Sequence, residues 1–325
     1  MKIVFMLLLL VSALYSQSLE ISFTNPGVDN FTTQTGHLIA DPSSASDFKS
    51  IVKQQSESEA SEKSNFGIGV ETFVNEDVKY VTIPLQYTIS NFVLKAEVPY
   101  IFNKKLNYFE DSAEASGIGD IRFSISYNTL FNEIFFSITP GIKFPTGDYD
   151  STDGNLLVPL GTGSMDYTFS IHLLKDFTET FGLEGGFFTK FNGTSEKKAE
   201  IINEEDPAQN QIIDYEITNG AIFKFDVCGN YYFMDNMTFA LNTGLTVMTE
   251  GSKDKTITYT DGSSDKLTDL SNEQDGLYLD ISPYITYRFL RLNLTAGVSI
   301  PVFTQRNDNN TEDDRTISLF TKINF

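Results

Sequence analysis

Strict alternation of apolar and polar residues limits what this chain can fold into more than any other feature of its sequence. In the stretch DIRFSISYN, residues 120–128, the apolar residues fall on one parity and the polar residues on the other. Successive side chains of a β-strand point to opposite faces of a sheet, which produces this two-residue period. Twelve such segments follow one another from about residue 65 to residue 325. The pattern predicts an all-β fold.

The charged residues of these segments fall on the polar parity, and the apolar parity carries charge only at segment ends such as Lys79 and Lys175. Strands of soluble sandwiches usually run about 5–6 residues. The segments here run about 9–14 residues, which is long enough to cross a bilayer at a tilt. We therefore predict a closed antiparallel transmembrane β-barrel of about 12 strands.

The connections between the segments alternate in length. Tight turns are predicted at Ser90-Asn91, Asn132-Glu133, Asp176-Phe177, Asp235-Asn236 and Leu290-Arg291. Between them lie long polar loops at 103–117, 146–162, 192–215, 250–276 and 303–314, and a short connection at Asn75-Glu76-Asp77. Short turns on one side and long loops on the other are typical of outer-membrane barrels, and an even strand number places both termini on the periplasmic side.

Both ends of the chain carry signals of export and assembly. Residues 1–18 combine Lys2, an apolar run and small residues, which predicts a cleaved signal peptide. Residues 19–64 form a polar N-terminal extension, either a flexible linker or a plug of the lumen, and 65–325 form the barrel. The chain ends on Phe325, and a closed barrel must pair its last strand with its first. A terminal Phe on such a strand resembles the signal that the outer-membrane assembly machinery reads.

Composition excludes two classes of protein. The chain holds 44 acidic residues against 23 Lys and Arg, a formal charge of −21, whereas a nucleic-acid binder needs a basic surface. Cys228 is the single cysteine, so it cannot close an intrachain disulfide. We expect no nucleic-acid partner and no disulfide scaffold.

Motifs in the stretch 117–177 carry a resemblance to a known family, and the segment AEVPYIFN (96–103) fits it as well. They comprise Gly117, Gly119, Asp120, Tyr127, Pro140, Lys143, Pro145, Thr146, Gly147, Gly161, Gly163, Ser164, Asp166 and Tyr167. With these motifs the chain resembles the outer-membrane channel-like proteins grouped with the meta-pathway of phenol degradation. The resemblance implies uptake of small hydrophobic or aromatic compounds, without fixed binding residues.

The polar parity supplies the candidate site, a set of residues predicted to line the lumen. They are Glu97, Asp120, Arg122, Lys143, Asp166, His172, Glu184, Lys190, Lys224, Asp226, Asp280, Arg288 and Lys322. Both signs of charge are present in near balance. The set is compatible with a selectivity surface for a solute and with an internal salt-bridge lattice that stiffens the barrel.

Enzymatic and metal sites have weak support. Asp148, Asp150 and Asp153 offer oxygen ligands of the kind that Ca²⁺ binds, but a solvated surface loop explains them more simply. Of the two histidines, His37 precedes the barrel, and a Leu rather than a Ser follows two residues after His172. No phosphate loop, HExxH or CxxC motif occurs. We predict no catalytic residues, no metal site and no cofactor.

The leading interpretation is a bacterial outer-membrane channel through which small solutes, including apolar or aromatic compounds, diffuse passively. The alternative is a structural or adhesive surface barrel with a closed lumen. Either protein would have outer-membrane lipid and lipopolysaccharide as partners, and the channel would also meet a small-molecule solute.

Overall fold

The computed structural model describes residues 65–74, 77–108, 111–149, 151–153, 156–201, 211–234, 236–260, 262–272, 275–289, 292–306 and 317–324. The expected signal peptide (1–18), the N-terminal extension (19–64) and the terminal Phe325 lie outside these ranges. None of the described residues forms a helix long and apolar enough to cross a membrane.

The described residues form nineteen β-strands. The first ten are β1 (Asn65–Val74), β2 (Val78–Ile89), β3 (Phe92–Tyr108), β4 (Asp111–Ile118), β5 (Arg122–Phe131), β6 (Ile134–Lys143), β7 (Thr152–Asp153), β8 (Leu156–Leu157), β9 (Asp166–Asp176) and β10 (Phe181–Phe191). The others are β11 (Thr194–Ile201), β12 (Gln211–Thr218), β13 (Ile222–Met234), β14 (Met237–Met248), β15 (Gly251–Tyr259), β16 (Ser264–Asn272), β17 (Gly276–Phe289), β18 (Leu292–Arg306) and β19 (Ser318–Asn324).

Twelve strands close into a barrel, as the sequence predicts. Each pairs antiparallel with the next in the order β1, β2, β3, β5, β6, β9, β10, β13, β14, β17, β18 and β19, and β19 pairs back with β1. In this closing pair, Glu71 is opposite Lys322 and Phe73 is opposite Phe320. Closure leaves no unpaired edge along the wall, so its backbone N–H and C=O groups are satisfied without water.

The outer face of the barrel is apolar, because one parity of every strand points away from the interior. On β5, Phe123, Ile125 and Tyr127 are exposed, and exposed Phe, Leu and Ile side chains continue around the wall on β2, β3, β9, β10, β13, β14, β17, β18 and β19. A water-soluble monomer rarely exposes a contiguous apolar patch larger than a few hundred Å². An apolar belt of this kind is compatible with contact with the hydrocarbon core of a lipid bilayer.

The predicted long polar loops contain more strand than expected. β3 continues to Tyr108 and pairs with β4, and the regions 192–215 and 250–276 supply a separate four-stranded sheet in the order β11, β12, β15, β16. The prediction of loops was wrong at these places. The strands β15 (GSKDKTITY) and β16 (SDKLTDLSN) are rich in charged and hydroxyl side chains, so they lack the run of apolar residues on one parity that marks the membrane strands.

The short turns at Ser90-Asn91 and Asn132-Glu133 lie where the sequence predicts them, whereas Asp235, Leu290 and Arg291 of two other predicted turns lie outside the described residues. Asn132 and Glu133 both have positive φ, of 49° and 64°, as a two-residue hairpin turn requires. The predicted two-residue turn at Asp176-Phe177 is instead a four-residue link, 177–180. The hydroxyl of Thr178 stabilises it by accepting hydrogen bonds from the N–H groups of Thr180 (3.3 Å) and Phe181 (3.0 Å).

A pair of leucine substitutions tests whether the barrel face contacts lipid. Leu241 on β14 and Leu267 on β16 are similarly exposed, at 46% and 48%. We expect Leu241→Arg to lower the free energy of unfolding in lipid vesicles by about 2–4 kcal/mol, because a charge would enter hydrocarbon. Leu267→Arg is the control, and its effect should stay within about 0.5 kcal/mol. Denaturant titration of folded protein in vesicles measures both, and equal effects would contradict a lipid-facing wall.

Candidate functional site

Charged side chains alternate with the exposed apolar side chains along the barrel strands. Of the thirteen residues predicted from parity, twelve lie on barrel strands at positions that alternate with the exposed apolar ones, and Asp120 lies in the link between β4 and β5. Eight are buried: Asp120, Lys143, Asp166, Glu184, Lys190, Lys224, Asp226 and Lys322. The remaining five, Glu97, Arg122, His172, Asp280 and Arg288, are half-buried. Contact of this set with a solute remains a prediction.

Four of these residues form an ion-pair chain at the end of the barrel that carries the long loops, and we call it the mouth network. The Lys143 Nζ lies 3.0 Å from Asp120 Oδ2 and 2.6 Å from Asp166 Oδ2. The Lys190 Nζ lies 2.9 Å from Asp166 Oδ2. Asp166 is fully buried, so its charge depends on these two lysines for compensation. The network joins β6, β9 and β10 to the link before β5.

The mouth network also holds the segment 144–165 against the barrel. The Asp120 carboxylate accepts hydrogen bonds from the N–H groups of Gly147 (3.0 Å) and Thr162 (2.9 Å). The Asp166 carboxylate accepts from the Ser164 hydroxyl at 2.8 Å. Hydrogen bonds to ionised carboxylates are stronger than those between neutral groups. These contacts explain why the family-like motifs combine acidic residues with Gly, Thr and Ser.

Two glycines, Gly147 and Gly161, allow the backbone of this segment to approach itself and the Asp120 carboxylate closely. A Cβ at Gly161 would lie 2.4 Å from Asp120 Oδ1 and 2.7 Å from the Gly147 carbonyl oxygen. A Cβ at Gly147 would lie 2.8 Å from the Gly161 Cα. Any larger residue would separate the two backbones and weaken the hydrogen bonds to Asp120.

A second cluster lies deeper in the barrel. Lys224 interacts electrostatically with Asp226 and Asp280, and glycines opposite leave room for the long side chains. A Cβ at Gly244 would lie 2.9 Å from the Lys224 Cε, and one at Gly186 would lie 2.5 Å from the Asp226 carboxylate. Both side chains therefore lie flat against neighbouring strands.

His172 lies near this second cluster, beside Glu184 and opposite Ser137. The His172 Nδ1 is 3.8 Å from Glu184 Oε1, beyond normal hydrogen-bond length. Ser137 is directly across from His172 in the pairing of β6 with β9, a neighbour that sequence reasoning missed. The three residue types resemble a hydrolytic triad, but they sit within paired strands. Backbone N–H groups committed to strand pairing are not available to stabilise an oxyanion.

A third cluster closes the seam. Lys322 Nζ on β19 lies 2.9 Å from Glu71 Oε1 on β1, and Lys95 Nζ lies 2.6 Å from Glu97 Oε1 and 4.0 Å from Glu71 Oε1. Glu71 and Lys95 were not among the thirteen predicted site residues, although their parity is the same. Their contacts link the closing strand pair to β3.

Lys104 is a buried cation whose burial could not be predicted from the alternation of apolar and polar residues. It is 1% exposed and donates a hydrogen bond of 2.5 Å to the Pro159 carbonyl oxygen. The pairing of β3 with β4 shifts register between Ile101 and Lys104. A β-bulge of this kind changes which face a residue occupies, and Lys104 lies in a region predicted as a loop.

The interior also carries a row of aromatic side chains. Pairing between neighbouring strands connects Tyr284 to Gly297, Gly297 to Phe320, Phe320 to Phe73, and Phe73 to Tyr80. The rings of Tyr284 and Phe320 are 6.3 Å apart between centroids, and those of Phe73 and Tyr80 are stacked at 5.1 Å. Because barrel strands are tilted, this aromatic row climbs from the short-turn end of β17 toward the long-loop end of β1 and β2.

Polar residues border the aromatic row on both sides. The Ser282 hydroxyl donates to the Ser299 hydroxyl at 3.1 Å on one side, and the Thr286 and Thr295 hydroxyls are 3.0 Å apart on the other. Cys228 also touches the row, with its Sγ 3.3 Å from the Tyr284 hydroxyl. The inner wall thus offers an apolar stripe between polar stripes.

The acidic loop considered for Ca²⁺ is engaged in other contacts. The Asp153 Oδ2 accepts a hydrogen bond of 3.1 Å from the Glu114 N–H, and Asp150 lies outside the described residues. Within the described ranges, no group of three or more His, Cys, Asp or Glu side chains is placed to hold a metal ion.

Comparison with known proteins supplies a family and a fold. A family model described as "Putative MetA-pathway of phenol degradation" matches residues 52–266. The structure is similar to that of an outer membrane channel from Pseudomonas putida F1, at 12% identity, over 80% of this chain and 94% of that one, with a TM-score of 0.54. It is similar to the CymD monoaromatic hydrocarbon channel at 10% identity, over 82% and 88%, with a TM-score of 0.50. No curated protein matches the sequence.

Substitution of Asp166 tests the mouth network. Asp166→Asn would leave Lys143 and Lys190 buried beside an uncharged amide, and we expect it to lower the free energy of unfolding by about 3–5 kcal/mol. Asp254, on β15, is the control because its partner at 3.6 Å, Lys266, is exposed to solvent. Asp254→Asn should cost at most about 1 kcal/mol. Denaturant titration compares the two, and equal losses would show that the network contributes no more than a surface pair.

The close approach of Gly147 and Gly161 can be tested by proteolysis. We expect Gly161→Ala to loosen the segment 144–165, because the new methyl group overlaps the Asp120 carboxylate. Limited proteolysis of the folded protein should then cut this segment several times faster than in the wild type. Gly185→Ala is the control, since a Cβ there meets nothing within 4 Å among the described residues. Unchanged cleavage in Gly161→Ala would contradict the tight packing.

Proposed function

The chain belongs to the family whose model, described as a MetA-pathway of phenol degradation, matches residues 52–266, and from this premise we propose that it is an outer-membrane channel for small apolar or aromatic solutes. Transport would be passive. The single observation that carries the proposal is an aromatic row inside a closed barrel with an apolar outer face.

The outer face supports the membrane part of the proposal. A bacterial outer membrane is the setting in which closed barrels with apolar exteriors are stable. Lipid and lipopolysaccharide would contact the exposed Phe, Leu and Ile belt. We also propose that the assembly machinery recognises the end of the chain at Phe325, and that residues 1–18 are removed on export.

The inner wall supports the choice of solute. Small aromatic molecules gain from ring contacts, and two ring pairs, Tyr284 with Phe320 and Phe73 with Tyr80, follow one another along the aromatic row. Bordering hydroxyl groups offer hydrogen bonds to substituents such as a phenolic hydroxyl. The thirteen residues predicted from parity would line the rest of the path and keep it polar.

The mouth network would determine the shape of the entrance. Asp120, Lys143 and Asp166 hold the segment 144–165 in place through buried charge-assisted contacts. A rigid entrance limits the size of the solutes that can pass. Charge pairing within the network also reduces its attraction for free ions, which favours neutral solutes over salts.

The alternative function, a structural or adhesive barrel with a closed lumen, is supported by the close packing of the interior. Phe73 and Tyr284 are each 4% exposed, and Asp166 is fully buried. A closed barrel predicts no single-channel steps in planar bilayers and no uptake. We expect no hydrolase activity in either case, so that His172→Ala should leave any trace lipase or protease activity of purified protein unchanged.

Uptake measurements separate the two functions. We expect Gram-negative cells that express the protein to take up labelled phenol at low concentration faster than cells with an empty vector. Phe320→Ala should reduce the gain about 2–10-fold through lost ring contacts. Phe135→Ala is the control, because Phe135 is also buried but lies off the aromatic row. If the wild-type protein does not increase the rate of phenol uptake, the channel function is wrong. If both variants reduce uptake equally, the aromatic row does not contact the solute.

A further inference from the structure

The four-stranded sheet of β11, β12, β15 and β16 is an extension of the barrel wall. Its strands continue from β10, β13, β14 and β17, across bends at Gly193, Gly220 and Gly251. A Cβ at Gly220 would lie 1.5 Å from the Thr249 carbonyl oxygen, so the bend requires glycine there. The sheet therefore projects from the long-loop end of the barrel and has two distinct faces.

Pairing between the strands assigns residues to those faces. Residues directly opposite each other in antiparallel strands point to the same side. Ile217 is opposite both Ser195 and Lys253, and Tyr215 is opposite Lys255. We call this side the Tyr215 face. The other side carries Glu196 opposite Glu216 and Glu216 opposite Asp254.

The Tyr215 face looks toward the mouth of the barrel. Ser195 is buried, and its Cβ lies 3.5 Å from the position of a Cβ on Gly163. Gly163 belongs to the segment 144–165, whose Thr162 N–H binds the carboxylate of Asp120. The face that contacts Gly163 at Ser195 is therefore turned toward the mouth network.

Two lysines on this face lie over one ring. The Lys253 Nζ is 4.5 Å and the Lys255 Nζ is 5.9 Å from the centroid of the Tyr215 ring. Neither forms an ion pair with a carboxylate of the described residues, although the chain carries a formal charge of −21. Lys266, a lysine of the same sheet, does pair with Asp254. The Tyr215 face thus brings two ammonium groups to one aromatic ring, while Glu196, Glu216 and Asp254 lie on the other side.

We propose that Tyr215, Lys253 and Lys255 form a binding site for a small aromatic carboxylate at the entrance of the barrel. The carboxylate would lie between the two ammonium groups, and the ring would pack on Tyr215 and the half-buried Ile217. Attraction between opposite charges raises the local concentration of such an anion. The contacts of the two ammonium groups with the Tyr215 ring hold them in place before the anion binds. The site rests on the proposed channel function, because it would deliver solute to the mouth.

Calorimetric titration of folded, detergent-solubilised protein tests the site, with benzoate at pH 8 as the probe. We expect benzoate to bind more tightly than benzyl alcohol, which lacks the charge, and than acetate, which lacks the ring. The double variant Lys253→Gln/Lys255→Gln should weaken benzoate binding about fivefold or more, given the size of exposed charge–charge contributions. Lys253→Arg/Lys255→Arg should restore it, and Lys266→Gln on the opposite face should have no effect.

Several outcomes would overturn the site. Benzoate binding that is absent in the wild type, equal to that of acetate, or unchanged in Lys253→Gln/Lys255→Gln would each do so. Tyr215→Leu should also weaken benzoate more than acetate, whereas Tyr215→Phe should not. The titration measures binding without transport. If the wild type takes up phenol but its affinity for benzoate does not change with these substitutions, the binding site alone is disproved. If cells with the wild-type protein take up phenol no faster than cells with an empty vector, the channel function is disproved instead.

Discussion

Hydrogen bonding of the backbone in a medium without water is the constraint on which the rest of this structure depends. Each N–H and C=O group at membrane depth must find a partner in the chain, because lipid offers none. Pairing of β19 with β1 meets that demand by removing the last edge of the sheet. The seam is reinforced from inside by Lys322 and Glu71. Once the wall is closed, parity alone separates side chains that meet lipid from those that meet one another.

The buried charges of the barrel strands are arranged to neutralise each other. Asp166 lies between Lys143 and Lys190, and Asp120 binds both Lys143 and the backbone of the segment 144–165. Buried ion pairs are costly to form and still more costly to break. Such a network is therefore better suited to holding one conformation at the entrance than to adding stability. The same residues could therefore serve both functions considered for the thirteen predicted residues, solute selectivity and stiffening of the barrel.

Apolar and polar surfaces are sorted at three levels of the molecule. The barrel exterior is apolar, its interior carries an aromatic row between polar rows, and one face of the projecting sheet carries Lys253 and Lys255 beside the Tyr215 ring. Each separation follows from the same two-residue period of the β-strand. For a channel of aromatic solutes, the successive surfaces would provide attraction at the entrance and ring contacts along the wall.

Sequence alone determined the strand class, the barrel and its twelve strands, because a two-residue period read over about 9–14 residues allows few other folds. It also located the motifs of the mouth network, but parity says only which face a residue occupies. Tertiary structure decided which inward residues meet, since the contacts of Lys143 with Asp120 and Asp166 depend on strand register and tilt. It also decided the place of Lys104, because a bulge in β3 shifts the register there. Sequence did not predict the projecting sheet, because its strands β15 and β16 are rich in charged and hydroxyl side chains and lack the apolar parity by which the barrel strands are recognised.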